Sequence, residues 1–404
     1  MSRPTPILAV LLTTLVALGP LSTDFYLPSL PAITAAFATD GAHTQLTLSV
    51  YLAGFAVAQL AVGPLADRFG RRPVVLGGLV VYLLASLACC VAPSIEALIL
   101  ARLVQALGAC VGPVLGRTIV RDVWGPADAA RVLAYVSGAM ALAPLIGPFL
   151  GGLLTVFFGW QANFAALALF SALQIAATWR WLAESNPHPD PTATRLARIA
   201  ANYRRLLADR AYLGYLLCQS FAYSALFAFI SGSAFVLIGH FGLAPATYGL
   251  CFGVVVTGYM AGSALSGRLV GRFGSDRLLF AGGLVGASAA LAMWALAASP
   301  LASVVALLGP MVFVTVALGL VMPNATGRAL APYPQMAGAA SSLIGFAQMS
   351  IAALVGIVVG HGLEDGGQGA LTLLPAAIAA CGVLVPLCYL ALVRTAHAAG
   401  RASP

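Results

Sequence analysis

Charged residues are scarce in this sequence, where only 8% of the 404 residues are Asp, Glu, Lys or Arg. A soluble domain has roughly a quarter of its residues charged. Lysine is absent altogether, so the twenty basic residues are all arginine, and 61% of the chain is apolar. Water cannot be the main solvent of such a chain. We therefore expect a membrane protein and give no weight to a soluble multidomain protein.

Motifs for metals, disulfides and nucleotide hydrolysis are missing as well. The seven cysteines lie in apolar runs without C-x-x-C spacing, which favours buried cysteines over disulfides or a metal site. No glycine-rich phosphate cradle, HExxH motif or Ser/His/Asp arrangement occurs in a suitable context. We predict no cofactor, no metal and no enzymatic activity.

Long apolar runs are abundant instead. Crossing a hydrocarbon core of about 30 Å takes about 20 residues of helix, and the sequence has twelve such runs. The first is interpreted as a span and not as a signal peptide, because it continues past Asp24 without a typical cleavage site. The runs lie near residues 7–26, 46–65, 74–92, 97–116, 132–158, 162–181, 211–239, 248–269, 278–298, 301–323, 336–360 and 370–393.

The arginines orient these spans. With the N-terminus inside, nineteen of the twenty arginines fall at cytoplasmic ends or loops, and the ionisable residues of the opposite loops are acidic residues and histidines. The positive-inside rule then places both termini in the cytoplasm. The net charge of +8 is thus a signal of topology and predicts no nucleic-acid partner.

A loop motif is repeated halfway along the chain. GPLADRFGRR begins at Gly63 after the second run, and GRLVGRFGSDR begins at Gly267 after the eighth, 204 residues later. Parallel six-helix repeats are typical of transporters whose substrate lies between the halves. We predict a half at 1–182, a cytoplasmic linker at 183–210 with an amphipathic helix, and a half at 211–404. The linker helix suits the inner leaflet, and a passive linker is favoured over a regulatory site.

Several motifs together resemble one family, the major facilitator superfamily. GPLADRFGRRP resembles its loop between spans two and three. LSTDFYLPSLP, QLTLSVYLAGFAVAQL and RLVQALGACVGPVLGRTIVRD resemble more narrowly the twelve-span drug:proton antiporters of the bicyclomycin/chloramphenicol resistance type. PLIGPFLGG resembles a motif of exporters, although Ala143 stands where the family has a glycine.

The resemblance implies an all-α major facilitator fold of twelve helices in two halves. It also implies proton-coupled efflux of a small organic compound or antibiotic across the bacterial inner membrane, by a monomer whose partners are substrate, protons and the bilayer. A facilitator or proton symporter for a metabolite such as a nucleoside or amino acid is the alternative. A membrane-embedded enzyme is a further alternative, but this sequence lacks a set of catalytic residues.

Two charges within the spans are candidates for proton coupling. Asp24 is the only acidic residue well inside a span, and Pro28 opens the helix next to it. Arg102 enters span four at a comparable depth, so it can modulate the proton affinity of Asp24 directly or through Gln105 and water. A carboxylate at the membrane surface and a snorkelling arginine remain the alternatives.

Other candidates follow from spacing and from the resemblance. The loop motif implies a conformational latch between the halves, with Arg68 left as a solvated loop residue. The latch residues are Gly63, Asp67, Gly70, Arg71, Arg72 and Asp122. In span five a stripe of small residues predicts close helix packing. The packing residues are Gly147, Pro148, Gly151 and Gly152.

Mixed aromatic and amide faces suit an amphipathic organic ligand, although ordinary packing explains any single member as well. The candidates for substrate binding are Tyr26, Tyr51, Phe55, Gln59, Gln105, Gln219, Tyr223, Phe227 and Gln348. Asn324 follows Pro323 at the expected inner end of span ten. We interpret Asn324 as a helix-end residue and not as a ligand.

Overall fold

The structure is a computed structural model that describes residues 5–120, 122–124, 132, 143–186, 189–333, 337–361 and 368–396. Within these ranges the regular structure is helical and no strand occurs. Eleven helices there are long and apolar enough to cross a membrane. The predicted all-α membrane fold is therefore confirmed.

The helices are numbered in chain order. They are α1 (Pro6–Asp24, resuming at Leu30–Ala36), α2 (Gly41–Phe69), α3 (Arg71–Cys90), α4 (Ile95–Ala109, helical again over 111–120), α5 (Ala143–Phe158), α6 (Gln161–Trp181), α7 (Leu196–Ala208), α8 (Arg210–Ala234), α9 (Pro245–Phe273), α10 (Ser275–Ala297), α11 (Val304–Leu330), α12 (Ala337–His361) and α13 (Gln368–Cys388). Single π-helical segments extend α8 over Phe235–His240 and α13 over Tyr389–Arg394.

Side-chain caps fix where several helices begin. Ser94 accepts a hydrogen bond from the Ala97 N–H at the start of α4, and Ser303 caps α11 in the same way. Asp209 accepts from the N–H groups of Ala211 and Tyr212, the second and third residues of α8. Each cap satisfies a donor that would otherwise lack a partner at a helix end.

One predicted span differs from the structure, and another is described only in part. The fifth, predicted at 132–158, is described mainly from Ala143 onward, and most of its first part lies outside the described residues. The tenth was expected to end at Pro323, but α11 continues to Leu330 with Pro323 inside it. Membrane helices tolerate an internal proline where neighbouring groups satisfy the freed carbonyl.

The predicted linker holds the amphipathic helix α7. Leu206 is fully buried there, and Tyr203 packs against the same apolar cluster. Arg204 and Arg205 are exposed on the opposite side. The helix thus separates an apolar face from a basic one, as the spacing predicts.

The chain forms two compact units. The first contains Met1–Thr39, Val50–Leu196 and Ala244–Leu250, and the second contains Asp40–Ser49, Ala197–Leu243 and Cys251–Pro404. In the first unit α1 packs against α5 and α6, and α3 packs against α4 and α6. In the second unit α8 packs against α12 and α13, and α10 packs against α11 and α13.

Candidate functional site

The first membrane helix is broken at Asp24. The α-helical segment ends at this residue, a 3-10 turn follows at Leu27–Ser29, and the helix resumes at Leu30. Pro28 has no N–H group, so it cannot bond the carbonyl four residues earlier, which belongs to Asp24. The sequence predicts this opening, and it leaves the Asp24 carboxyl group beside irregular backbone.

Asp24 is only 3% exposed. Its Oδ1 accepts a hydrogen bond from Thr23 Oγ1 at 3.2 Å, and its Oδ2 has no partner among the described residues. An ionised carboxylate without a compensating group is costly in an apolar interior, so binding a proton or a cationic group relieves that cost.

Glycines of α5 lie against the break. A Cβ atom added at Gly147 would lie 2.7 Å from the Asp24 Cβ, and one added at Gly151 would lie 2.1 Å from the Phe25 carbonyl oxygen. Larger side chains would push α5 away. Gly152 is buried beside them, and Pro148 lies inside the helix. The predicted small-residue stripe thus packs directly against the segment that carries Asp24.

Arg102 is a fully buried cation on α4. Its Nη1 donates to Gln105 Oε1 at 2.5 Å and to the Ser22 carbonyl oxygen at 3.2 Å. Gln105 in turn donates to Ser86 Oγ at 2.7 Å. The Arg102 Nε and Nη2 atoms have no partner among the described residues. Arg102 is therefore held within the protein by hydrogen bonds to α1 and to its own helix.

Aromatic rings surround the Arg102 guanidinium group. Its Cζ lies 4.2 Å from the ring centre of Tyr51, 4.7 Å from that of Tyr26 and 5.8 Å from that of Phe164. Ring faces attract a cation, so they partly replace the water that Arg102 has lost. Tyr26 and Tyr51 are among the predicted residues. Phe164 was not, because nothing distinguishes it from other aromatics of an apolar span.

Arg102 and Asp24 are connected through backbone. The Ser22 carbonyl that binds Arg102 precedes Asp24 by two residues, and Ser22 Oγ lies 2.6 Å from the Tyr82 hydroxyl. Arg102 thus contacts the last turn of α1, and Asp24 belongs to that turn. The two charges form no direct ion pair in the described structure. Ser22, Tyr82 and Ser86 were missed because hydroxyl groups carry no charge signal in the sequence.

The remaining candidates of the first half lie on α2. Tyr51 and Phe55 are buried with ring centres 6.1 Å apart, and Gln59 lies on the same helix at 8% exposure. Phe55 also lies against Gly19 of α1. These residues share one face, as their four-residue spacing predicts.

A neutral polar network occupies the second half. Gln219 donates to Gln348 Oε1 at 2.9 Å and accepts from Thr326 Oγ1. Phe227 is buried on α8, and Tyr223 is half-buried against the apolar cluster of this half. The two glutamines are thus brought together, with Thr326 as a member that the sequence analysis missed.

Asn324 lies inside a helix and not at a helix end. It is 4% exposed inside α11 and donates to Ser266 Oγ and to the Leu320 carbonyl, both at 2.7 Å. The prediction of a helix-end residue was wrong, because Pro323 does not end this helix. Asn324 instead joins α11 to α9.

The 63–72 loop gathers several predicted residues. Arg71 forms an ion pair with Asp67, and its Nε lies 3.4 Å from Asp122 Oδ2. Arg72 donates to the Trp179 carbonyl at 2.8 Å. Gly70 has φ of +98°, a conformation that favours glycine, whereas a Cβ at Gly63 would meet open space. Arg68, expected to be solvated, donates to Thr194 Oγ1.

Glu184 is the residue of this loop region that the sequence analysis missed. Its Oε1 accepts from the N–H of Arg71 at 2.8 Å, and its Oε2 accepts from the N–H of Arg72 at 3.1 Å. It therefore caps the start of α3. Partial burial raises the pKa of the carboxyl group, but the backbone donors of Asn186, Arg71, Arg72 and Ser185 outweigh this and hold it below its usual 4.5.

Relatives support the sequence resemblance. An uncharacterized MFS-type transporter, YdgK of Bacillus subtilis, is 31% identical over 87% of this chain and 88% of its own. Multidrug resistance protein D of Escherichia coli is 29% identical over 96% and 97% of the two chains. The chloramphenicol resistance protein of Pseudomonas aeruginosa is 32% identical over 81% and 77%.

The fold is shared with solved transporters. The xylose transporter XylE of Escherichia coli, in a partially occluded inward-open conformation, matches with a TM-score of 0.73 at 14% identity and covers 96% of this chain and 97% of its own. The family profile described as Major Facilitator Superfamily matches residues 12–357. The chain is therefore a multi-pass membrane protein that belongs to the major facilitator superfamily.

Proposed function

We propose that this protein is a proton-coupled antiporter that exports a small organic compound from a bacterial cytoplasm by alternating access. The observation that carries the proposal is Asp24, a buried carboxyl group at a break in a membrane helix, with one oxygen that lacks a partner among the described residues. Such a group has two ways to be satisfied, by a proton or by a polar or cationic group of a ligand.

Exchange follows from this competition. A ligand that occupies Asp24 displaces its proton, and a proton displaces the ligand, so each turnover moves the two in opposite directions. Arg102 keeps its charge throughout, since a guanidinium group is not deprotonated in proteins. Through the Ser22 carbonyl it fixes the backbone beside Asp24. We assign it a positioning role and not the role of proton carrier.

The substrate class is argued from the neighbouring side chains and the relatives. Tyr51, Phe55 and Gln59 offer rings and an amide on one face of α2, and Gln219 and Gln348 add amides in the second half. Such groups suit an amphipathic organic compound. Two relatives are named for multidrug and chloramphenicol resistance, which favours an antibiotic.

The proposal also covers the orientation of the protein in the membrane and the latch formed by the 63–72 loop. The arginine distribution supports an inner-membrane protein with both termini in the cytoplasm. We propose that it acts as a monomer. The loop residues Asp67, Arg71 and Asp122 serve as part of a latch that is released and re-formed during the cycle. Their mutual contacts support this assignment.

Transport into inside-out vesicles tests the proposal. An acidic lumen should drive uptake of radiolabelled antibiotics, beginning with chloramphenicol, and an ionophore that collapses the pH gradient should abolish the uptake. A membrane potential adds roughly 2.3 kcal/mol per charge per 100 mV to the driving force. Uptake that ignores the gradient would indicate a facilitator, and uptake driven by an alkaline lumen would indicate a symporter.

A further inference from the structure

Asn163 is a fully buried amide near the start of α6. The helices α5 and α6 are joined by a turn of two residues, Gly159 and Trp160, and Gly159 has φ of +83°, a conformation that favours glycine. Such a short connection makes the two helices antiparallel neighbours. Asn163 therefore lies opposite the last turn of α5, and α6 also packs against α1.

Both N–H groups of the Asn163 amide have partners. Its Nδ2 donates to Thr155 Oγ1 of α5 at 2.8 Å and to Ser29 Oγ, in the 3-10 turn of α1, at 3.2 Å. Each hydroxyl group donates its own proton to a backbone carbonyl, that of Gly151 at 2.8 Å and that of Tyr26 at 2.6 Å. A hydroxyl group whose single proton is already used can only accept. The amide nitrogen is therefore the atom of Asn163 that faces both hydroxyl groups.

This amide is costly if stability is its only purpose. The Asn163 Oδ1 atom is buried and has no hydrogen-bond partner among the described residues, and such an acceptor costs free energy. Leucine at this position would avoid that cost, while the hydroxyl groups of Ser29 and Thr155 would keep their bonds to backbone carbonyls. The amide therefore indicates a role in placing the two segments that it joins.

Asp24 lies between two buried anchors. On one side the Arg102 guanidinium group holds the Ser22 carbonyl, two residues before Asp24. On the other side Asn163 holds Ser29, five residues after Asp24. Between these anchors the α-helix is interrupted, so helical hydrogen bonds alone do not fix the backbone. The position of Asp24 therefore depends on both anchors.

The second bond of Asn163 places α5 against the same segment. Thr155 lies one turn after Gly151, whose missing side chain lets α5 approach the break in α1 closely. Gly147 lies one turn earlier, where an added Cβ atom would be 2.7 Å from the Asp24 Cβ. The bond from Asn163 to Thr155 therefore keeps the glycine face of α5 against the carboxyl group and keeps water away from it.

We propose that Asn163 is a positioning residue for proton exchange at Asp24. It ties the 3-10 turn of α1 to the last turn of α5, and this tie keeps Asp24 buried against the glycines of α5. The assignment rests on the proposed antiport function and adds a residue that touches neither the proton nor the substrate. Loss of the amide donors should let water reach the carboxyl group and weaken the coupling of proton to substrate.

Infrared spectroscopy of the full-length protein in lipid at acidic pH tests the surroundings of Asp24. The C=O stretching band of its protonated carboxyl group is identified by its absence in Asp24→Asn. Asn163→Leu should shift this band to lower frequency, because hydrogen bonds from water weaken the C=O bond. Asn324→Leu is the matched control, since Asn324 is also a buried amide that donates two hydrogen bonds, but in the second half. An unchanged band in Asn163→Leu, or an equal shift in the control, would overturn the proposal.

Transport by two variants of Thr155 tests the bond to α5. Thr155→Val keeps the shape of the side chain but cannot accept from Asn163, so it should lower gradient-driven uptake into inside-out vesicles several-fold. Thr155→Ser keeps the hydroxyl group and should retain the uptake of the wild type. Uptake that falls equally in both variants, or in neither, contradicts a positioning hydrogen bond.

The infrared band needs no transport, so this proposal and the proposed function can fail separately. A wild type without gradient-driven uptake would refute antiport, while a shifted band in Asn163→Leu would still support the positioning role. A wild type that transports, together with an unchanged band in Asn163→Leu, would refute only the role of Asn163. If Asn163→Leu does not fold, the same band measured in Thr155→Val decides.

Discussion

The two repeated loops have similar backbone conformations at their glycines, but the carboxylate next to the following helix comes from a different place in each loop. Gly70 and Gly274 precede α3 and α10 with φ of +98° and +79°, and both have ψ of 155°. In the first loop two arginines begin α3, and the carboxylate that caps them comes from Glu184, more than a hundred residues away. In the second loop Asp276 lies within the first turn of α10 itself.

The difference shows how a repeat can keep its shape while its function diverges. Asp276 accepts from the Tyr215 hydroxyl at 2.5 Å and lies 3.1 Å from Arg328 Nη2, so its partners belong to the same half. Glu184 instead ties the start of the linker to the first loop. Negative charge stabilises a helix N-terminus. Among the described residues, α3 obtains this charge from the distant Glu184, and α10 obtains it from Asp276 in its own first turn.

The membrane interior shows a parallel contrast. The first half contains Asp24 and Arg102, both buried and both with unpartnered polar atoms among the described residues. The second half contains Gln219 and Gln348, which are neutral and bonded to each other. Unpartnered charges suit binding and release, whereas paired amides suit a stable surface. We therefore expect proton exchange in the first half.

Replacing the loop glycines Gly70 and Gly274 with alanine should give the largest difference in stability loss between the two loops. Gly274→Ala adds a side chain in open space, so it should cost only the backbone strain, about 1–3 kcal/mol. Gly70→Ala adds the same strain and places a Cβ 2.6 Å from Glu184 Oε2. It should cost at least about 1 kcal/mol more, since cap hydrogen bonds are lost. Unfolding in detergent measures both, and equal costs would refute a cap specific to the first loop.

Neutralising Glu184 and Asp276 should give a smaller difference in stability loss between the two loops. Glu184→Gln removes the charge that accepts backbone N–H groups and should cost about 1–2 kcal/mol, allowing for its partial exposure. Asp276→Asn weakens a partly exposed ion pair and should cost at most about 1 kcal/mol. The same unfolding assay applies, with Gly63→Ala as a control in open space. A larger loss for Asp276→Asn would reverse our interpretation of the loops.

The pH dependence of the Glu184 cap should be the smallest effect. Its pKa is lowered on folding, so its stabilisation is complete above the usual value of 4.5 and is lost as pH falls through the lowered value. The stability difference between wild type and Glu184→Gln should therefore be constant from neutral pH to about 4.5 and shrink below it. A difference that grows on acidification would contradict the cap.

Candidate residues could be identified from the sequence where charge or periodicity carried the signal. Asp24 and Arg102 are conspicuous because charges are rare in apolar runs, and the repeat is visible in the letters. Glu184 was missed because its partners are backbone N–H groups distant in sequence. Asn324 was misplaced because Pro323 looked like a helix end. Its buried donors to Leu320 and Ser266 depend on packing that no local pattern reveals.

Gradient-driven transport by Asp24→Asn tests the central claim most directly. Asparagine keeps the shape of the side chain but cannot exchange a proton, so the variant should lose uptake driven by an acidic lumen in inside-out vesicles. Asp40→Asn is the control, because Asp40 lies outside the break and bonds the exposed His43. It should accumulate substrate like the wild type. Wild-type accumulation by Asp24→Asn would contradict the account.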